Sequence, residues 1–404
     1  MKVLKKIGKK FKDLIAKLEI KKVFSNLHFP LLILMIIYMI FGLLMIFSAS
    51  SVAAVLRYKV PSNYFFLRQL TWIALALIPG FIVLFVNTKY YRYFSKWVML
   101  GAVGALILLF TVGVVAGGAR SWFDAGEINV QPTEFVKIIL IIYLAVYYHR
   151  FGSKKDVSLW KMAFPLVIAV TVFILVAMQP DFGGAFIIAV ITALIFFSLP
   201  IAKNQKKTIY KIGLGTIVVA VLALVFLGKD IFQSYQVSRL LNFTEPCQRY
   251  SDDTGYQVCN GYIAIHNGGL TGVGLGESTQ KYLYLPEAHT DFIFPIICEE
   301  LGLIVGILVV VGYFAMLFMI LNVAKETDTL RNSVLAYGIF AYLLAHILIN
   351  LLGVLGLIPL TGVPLPFLSY GGSYNMCVIV SLFMIQRIHY ENKEAKLRKK
   401  IENL

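Results

Sequence analysis

Charge is what this chain has least of. Only 14% of its 404 residues are Asp, Glu, Lys or Arg, against 59% hydrophobic. Soluble domains run about 25% charged and about 45–50% apolar, so an ordinary water-exposed domain is excluded. Acid is scarcer than base: 21 Asp and Glu stand against 37 Lys and Arg, a formal charge of +16. Cysteine is rare as well, with four residues, too few for a disulfide-stapled scaffold. No His or Cys pair has zinc-ligand spacing. The glycine run 268–276 lacks the preceding strand and following Lys-Ser/Thr of a phosphate loop, which argues against a nucleotide site. Nucleic acid is an equally poor fit, because the basic residues are scattered among apolar runs with no binding fold around them.

Long apolar runs are what the chain has instead. A transmembrane helix needs about 20 apolar residues to cross about 30 Å of hydrocarbon. Windows of that kind fall at roughly 28–48, 67–86, 96–115, 133–148, 163–178, 183–200, 212–227, 292–321, 333–352 and 371–388. The predicted fold is an all-α polytopic membrane protein of about ten spans. Its parts are a basic tail 1–27, a membrane domain 28–388 and a basic tail 389–404. A large loop, about 229–290, separates spans seven and eight, and a re-entrant-like loop separates spans nine and ten.

Lys and Arg cluster in both tails and in alternate loops (Lys89, Arg92 and Lys96; Arg150, Lys154 and Lys155; Lys203, Lys206 and Lys207). The positive-inside rule then puts both termini in the cytoplasm of a multi-pass protein of the cell membrane. The excess charge is also attracted to anionic lipid headgroups. In the first tail Val3, Ile7, Phe11, Leu14, Ile15 and Leu18 recur at helical spacing, which predicts an amphipathic helix on the inner leaflet. No small-residue cleavage site follows it, so it does not read as a signal peptide.

Unusual residues collect on the opposite, external face. Gly117 to Trp122 reads GGARSW and includes Arg120; residues 131–137 read QPTEFVK; residues 179–184 read QPDFGG. Proline at a helix start is harmless, and the acid after it favours the helix N-terminus, a capping role open to Glu134 and Asp181. Lys137 lies a turn inside an apolar span, where a cation needs a partner or a polar cavity. The run PEAHTDFIF, 286–294, sets Glu287, His289 and Asp291 at the mouth of the eighth span, and CEELG, 298–302, follows inside it. On a continuous helix Glu299 would lie about 12 Å below Asp291 and about 80° around it, which makes Glu299 the expected partner of Lys137. Residues 356–373 contain three prolines and several glycines, yet are too apolar for water. Non-helical backbone at membrane depth must be buried or line a cavity. Cys247 and Cys259 lie in the large external loop, where an oxidising compartment permits a disulfide.

Taken in order, GGARSW, QPTEFVK, QPDFGG, GGLTGVGLG, PEAHTDFIF, CEELG and GLIPLTGVPLPFLSYGGS resemble the SEDS family of bacterial cell-wall polymerases, which includes RodA, FtsW and SpoVE. The resemblance covers 117–373. PEAHTD leans toward the division member FtsW, and the 361–373 loop toward the elongation member RodA; division is slightly favoured. The departures are mild: Ser121, Gly184 and Tyr374 stand where relatives often carry Arg, Thr and Ser.

The resemblance implies a ten-span peptidoglycan glycosyltransferase that polymerises lipid II outside the membrane, at the septum if the division leaning holds. It implies a class B penicillin-binding protein as crosslinking partner, alongside other division or elongation proteins. Asp291 corresponds to the family's essential acid and Lys137 to its fourth-span lysine. In that chemistry an acceptor hydroxyl attacks the donor's anomeric carbon, and a positioned carboxylate taking its proton contributes about 10²–10⁴-fold. Asp291 is the candidate base. Lys137 and Arg120 are candidates to orient it or to neutralise pyrophosphate, a task a divalent cation (Mg or Mn) held by Asp291 could share. Gln131, Glu134, Asp181, His289, Glu299, Ser369 and Gly371 complete the candidate substrate-binding and supporting set. Two other readings stay open: a lipid II flippase, which would need polar passage through both leaflets, and a non-catalytic division scaffold.

Overall fold

The computed structural model describes residues 20–116, 119–126, 128–151, 158–200, 204, 206–208, 211, 245–251 and 253–403. Most of the expected amphipathic tail, Gly117 and Gly118, the expected seventh span and residues 229–244 of the large loop lie outside the described residues.

The described chain is a bundle of helices. After a short α1 (Ile20–Ser25) come α2 (Phe29–Leu56), α3 (Tyr64–Phe85) and α4 (Tyr91–Val112). Then follow α5 (Pro132–Phe151), α6 (Leu159–Ala177), α7 (Phe182–Ser198) and α8 (Asp253–Gly268). The last three are α9 (Ile293–Lys325), α10 (Leu330–Val354) and α11 (Gly372–Glu402). Among the described residues, six helical segments are long and apolar enough to cross a membrane: Phe29–Leu56, Tyr64–Phe85, Thr88–Val112, Leu159–Ala177, Ile293–Lys325 and Leu330–Val354. This is a polytopic membrane protein.

Each outer helix turns its apolar side outward. On α2, Ile33, Ile36, Ile37, Ile40 and Leu44 are exposed, while Gly42, Ser48 and Ala49 on the other side are buried. Lipid is as apolar as leucine, so burying aliphatic side chains does little to hold such helices together; close packing and internal polar contacts do that work. The polar side chains accordingly gather on the buried helices α5 and α10 and on the long α11.

Three features differ from the sequence expectation. A small antiparallel sheet, β1 (Val114–Ala116), β2 (Ala119–Ala125) and β3 (Ile128–Val130), joins α4 to α5, so the fold is not wholly α. Its strands are short and alternate too briefly to show a period of two. The expected boundary at 389 falls inside α11, which runs unbroken for 31 residues. At ~1.5 Å per residue that is about 46 Å, longer than the hydrocarbon core.

The third difference bears on the site. Helix α9 is broken at Gly302, whose φ of 83° and ψ of 165° are not helical. The glycine loop 269–274 threads into the break: Val273 N and Gly274 N donate to the carbonyls of Glu299 and Glu300, while Leu303 N and Ile304 N donate to those of Gly269 and Leu270. Backbone meets backbone so closely that a Cβ on Gly302 would stand 2.3 Å from the Leu270 carbonyl. Residues 303–325 alone span about 35 Å, enough to cross the membrane, so 293–301 is a separate buried helix beneath the loop that carries Asp291. Gly302→Ala is expected to combine a left-handed backbone with this clash and to lower the thermal unfolding temperature by several degrees. Thermal melts in detergent check it, and an unchanged melt would argue against the threaded loop.

Candidate functional site

The loop 269–292 and the loop 355–371 lie at the same end of the bundle and meet around Asp291. Asp291 is 9% exposed, and its Oδ1 accepts from the Thr290 hydroxyl at 3.1 Å. Asn350 on α10 holds the two loops together: its Nδ2 donates to the Asp291 carbonyl at 2.7 Å and to the Val363 carbonyl at 2.8 Å. Beside the carboxylate the chain turns through Gly362 at φ 70°, where a Cβ would stand 3.7 Å from Asp291 Oδ2. Glycine takes that conformation without the strain another residue would bring.

Residues 361–364 are the hub of the site. Thr361 and Val363 press on Gly183 at the start of α7. Just ahead of it Asp181 caps that helix, accepting from Gly184 N at 2.8 Å, and its other oxygen accepts from Gln131 Nε2 at 3.3 Å. Pro364 contacts the buried cluster below. There Lys137, with no exposed surface, donates to Glu134 Oε1 at 2.7 Å and lies 3.1 Å from His346 Nε2. Because Nε2 faces an ammonium it accepts, which leaves the proton on Nδ1 to donate to the Pro364 carbonyl at 3.4 Å. The Tyr374 ring stacks on His346, with centroids 4.5 Å apart. An unbroken path of contacts therefore joins Lys137 to the loop beside Asp291.

Several sequence expectations change in detail. Glu134 does not cap α5; its carboxylate turns to Lys137. Glu299 is not the partner of Lys137. It accepts from Ser278, Thr279 and the backbone N–H of Gln280, tying the glycine-rich loop to 293–301. The broken helix explains this, since the rotation argument assumed continuity through Gly302. Glu300 instead pairs with Lys281 at 3.0 Å. Arg120 is exposed on β2 and donates to the Phe110 carbonyl at 3.1 Å. Ser369 and Gly371 shape the loop: Ser369 Oγ accepts from Leu365 N at 2.8 Å, and Gly371 N donates to Gln69 Oε1 at 3.2 Å. Cys247 and Cys259 are joined in a disulfide that ties residues 246–249 to α8.

His289 packs as an aromatic wedge, its ring centroid 4.5 Å from Phe65 and 5.7 Å from Tyr370, and its carbonyl accepts from Tyr370 N at 2.8 Å. Burial pushes its pKa down to about 4, against the pull of Glu287. Between about pH 6.5 and 4 the unfolded chain therefore binds the proton that the folded one refuses. Stability from this site is expected to be full above about pH 6.5 and to fall as pH drops toward 4. The difference in melting temperature between wild type and His289→Phe, followed over that window, checks this; a pH-independent difference would refute it.

His346 and Asn350 went unrecognised in the sequence. The available signal was Tyr342, His346 and Asn350 at i, i+4 and i+8, a polar stripe on one face of an otherwise apolar helix.

The architecture is that of a polytopic helical protein whose polar site sits at one mouth of the bundle, walled by a non-helical loop. A family model described as "Cell cycle protein", covering FtsW, RodA and SpoVE, matches residues 29–394. The chain belongs to that family. It is 39% identical to "Probable peptidoglycan glycosyltransferase FtsW" of Bacillus subtilis (strain 168), over 95% of this chain and 96% of that protein. It is 34% identical to Stage V sporulation protein E of the same organism, over 85% and 91%. A chain of a solved peptidoglycan synthase complex superimposes with TM-score 0.70 at 22% identity, covering 91% of this chain and 98% of that one. RodA of Thermus thermophilus gives TM-score 0.64 at 23% identity, covering 91% and 97%.

Proposed function

We propose that this chain is a peptidoglycan glycosyltransferase that polymerises lipid II on the outer face of the cell membrane, with Asp291 as its general base. The observation that carries the assignment of the base is the Asp291 carboxylate where the two loops meet, beside Gly362 and with its backbone carbonyl held by Asn350. The Lys and Arg distribution supports the outward placing of this mouth, both termini in the cytoplasm and ten spans in all. The acceptor hydroxyl gives its proton to Asp291 as its oxygen bonds to the donor's anomeric carbon. The anomeric carbon–oxygen bond to undecaprenyl pyrophosphate breaks, and the pyrophosphate leaves with the electron pair. This charge build-up calls for cations near the mouth. We assign that task to Arg120, which is exposed on β2. Lys137 is enclosed and neutralised by Glu134, so its part is to hold the 361–364 loop through His346.

A divalent cation suits this arrangement as a shared ligand. No three His, Cys, Asp or Glu converge among the described residues. A cation would therefore take Asp291 from the protein and its other oxygens from pyrophosphate and water, the manner in which Mg is commonly held. Bound there, it would neutralise charge on the leaving group. The synthase complex matched above, which coordinates polymerisation and crosslinking, supports a penicillin-binding transpeptidase as partner. The similarity to FtsW supports a division role at the septum.

The test is reconstitution of the purified chain with lipid II, Mg or Mn and a cognate class B penicillin-binding protein. Glycan strands resolved on a gel are the expected product. Lipid II crossing vesicle membranes with no strands formed would overturn the reading in favour of a flippase.

A further inference from the structure

The end of the bundle opposite Asp291 carries a second built feature. A cleft of ≈ 220 Å³ opens where the residues between α3 and α4, the turn between α9 and α10, and α11 meet. Both signs of charge line it, but they are unequally engaged. Glu391 accepts from Thr88 N, Thr88 Oγ1, Asn332 Nδ2 and Arg387 Nε, all within 2.9 Å. Asp328 is paired with Lys399 at 2.8 Å, and Glu394 with Lys22 at 3.3 Å. The cations are in the opposite condition. Among the described residues, Lys89 and Arg398 reach no carboxylate within ion-pair distance. Arg331 spends only its Nε, on Thr88 Oγ1 and Asn332 Oδ1, leaving both terminal nitrogens for a ligand. The cleft thus holds three carboxylates that are each already engaged, beside the Lys89 ammonium, the Arg398 guanidinium and the terminal nitrogens of Arg331, which make no ion pair with a carboxylate among the described residues. That asymmetry selects an anion, and a forked guanidinium beside a lysine suits phosphate oxygens.

We infer that this cleft binds a phosphate-bearing anion through Lys89, Arg331 and Arg398, namely the phosphodiester headgroup of an anionic phospholipid in the inner leaflet. The inference rests on the inward orientation of this end and not on the glycosyl-transfer reading. The position favours a headgroup over a solute, because α3, α4 and α10 end here and their apolar flanks, such as Tyr90, Tyr93 and Trp97, face outward. Aromatic side chains of this kind mark the headgroup level of a bilayer. A headgroup bridging these elements would brace the two turns against α11.

The test uses the full chain in detergent, titrated separately with phosphatidylglycerol, phosphatidylcholine and inorganic phosphate, with retained ligand read by native mass spectrometry and by thermal shift. Three proteins are compared: wild type, Lys89→Gln/Arg398→Gln, and a control, Lys393→Gln/Lys400→Gln, that removes equal charge outside the cleft. Phosphatidylglycerol is expected to bind wild type and control. Its affinity should fall about fivefold per cleft cation removed, or about 25-fold in the double variant. Inorganic phosphate binding with the same dependence on Lys89 and Arg398 would support the site with a free phosphate as the source. Equal loss in the control would make the effect diffuse surface charge and overturn the inference, as would absence of binding by wild type. If the double variant does not fold, Lys89→Gln alone, at an exposed position, should still lose about fivefold; unchanged binding there would also overturn it.

Discussion

Asp291→Asn is expected to abolish glycan strand formation while leaving the protein folded. The substitution keeps shape and hydrogen-bond capacity. An asparagine oxygen can still accept from Thr290, and the backbone carbonyl that Asn350 holds is untouched. What disappears is basicity. A positioned base contributes about 10²–10⁴-fold to the rate, and a hydroxyl nucleophile is weak enough to need most of that. Loss of a divalent cation's carboxylate would deepen the defect, so the upper end of the range is expected. The measurement pairs strand length on a gel with a thermal melt on the same preparation. No strands with an unchanged melt places the base at Asp291. Full activity in the variant would remove the residue from the chemistry, and a collapsed melt would show that the carboxylate holds the loop instead. Asn350→Leu separates these roles further. It should loosen Asp291 without removing it, leaving a residual rate above that of Asp291→Asn.

How much of this was legible beforehand depended on range. Helical segments were, because a run such as 29–56 declares itself locally by hydropathy. So were the ionisable residues within apolar surroundings: Lys137 demanded a partner on energetic grounds, and the structure supplies one. The choice of partner was not legible. Glu299 looked suitable only if α9 were continuous, and whether Gly302 continues or breaks a helix depends on a loop some thirty residues earlier lying against it. The true partner, Glu134, is one helical turn away at i,i+3, a spacing that was available. It was passed over because an acid after a helix-starting proline has an ordinary explanation as a cap. The contribution of Asn350 was less accessible still. Its work is done on two backbone carbonyls, Asp291 and Val363, and carbonyls carry no mark in a sequence. The same limit applies to the sheet between α4 and α5, whose longest strand, Ala119–Ala125, has seven residues.

The Lys137–Glu134 pair carries the second large expectation. Both side chains are buried, and taking an ion pair out of water costs so much that such a pair is weak evidence of stabilisation by itself. Removing one partner is another matter, because it strands the other charge. Lys137→Met should destabilise the protein by about 3–5 kcal/mol and remove the donor that sets the His346 tautomer, releasing the 361–364 loop beside Asp291. Strand formation should fall with it. The double variant Glu134→Gln/Lys137→Met separates the two effects, since it leaves no stranded charge and roughly conserves volume. Its melting temperature should return toward that of wild type. If activity returns too, the pair is purely structural. If the melt recovers while strands do not, the ammonium is needed to keep Nδ1 of His346 protonated toward Pro364, and the buried lysine acts on the reaction through the loop rather than by touching the substrate.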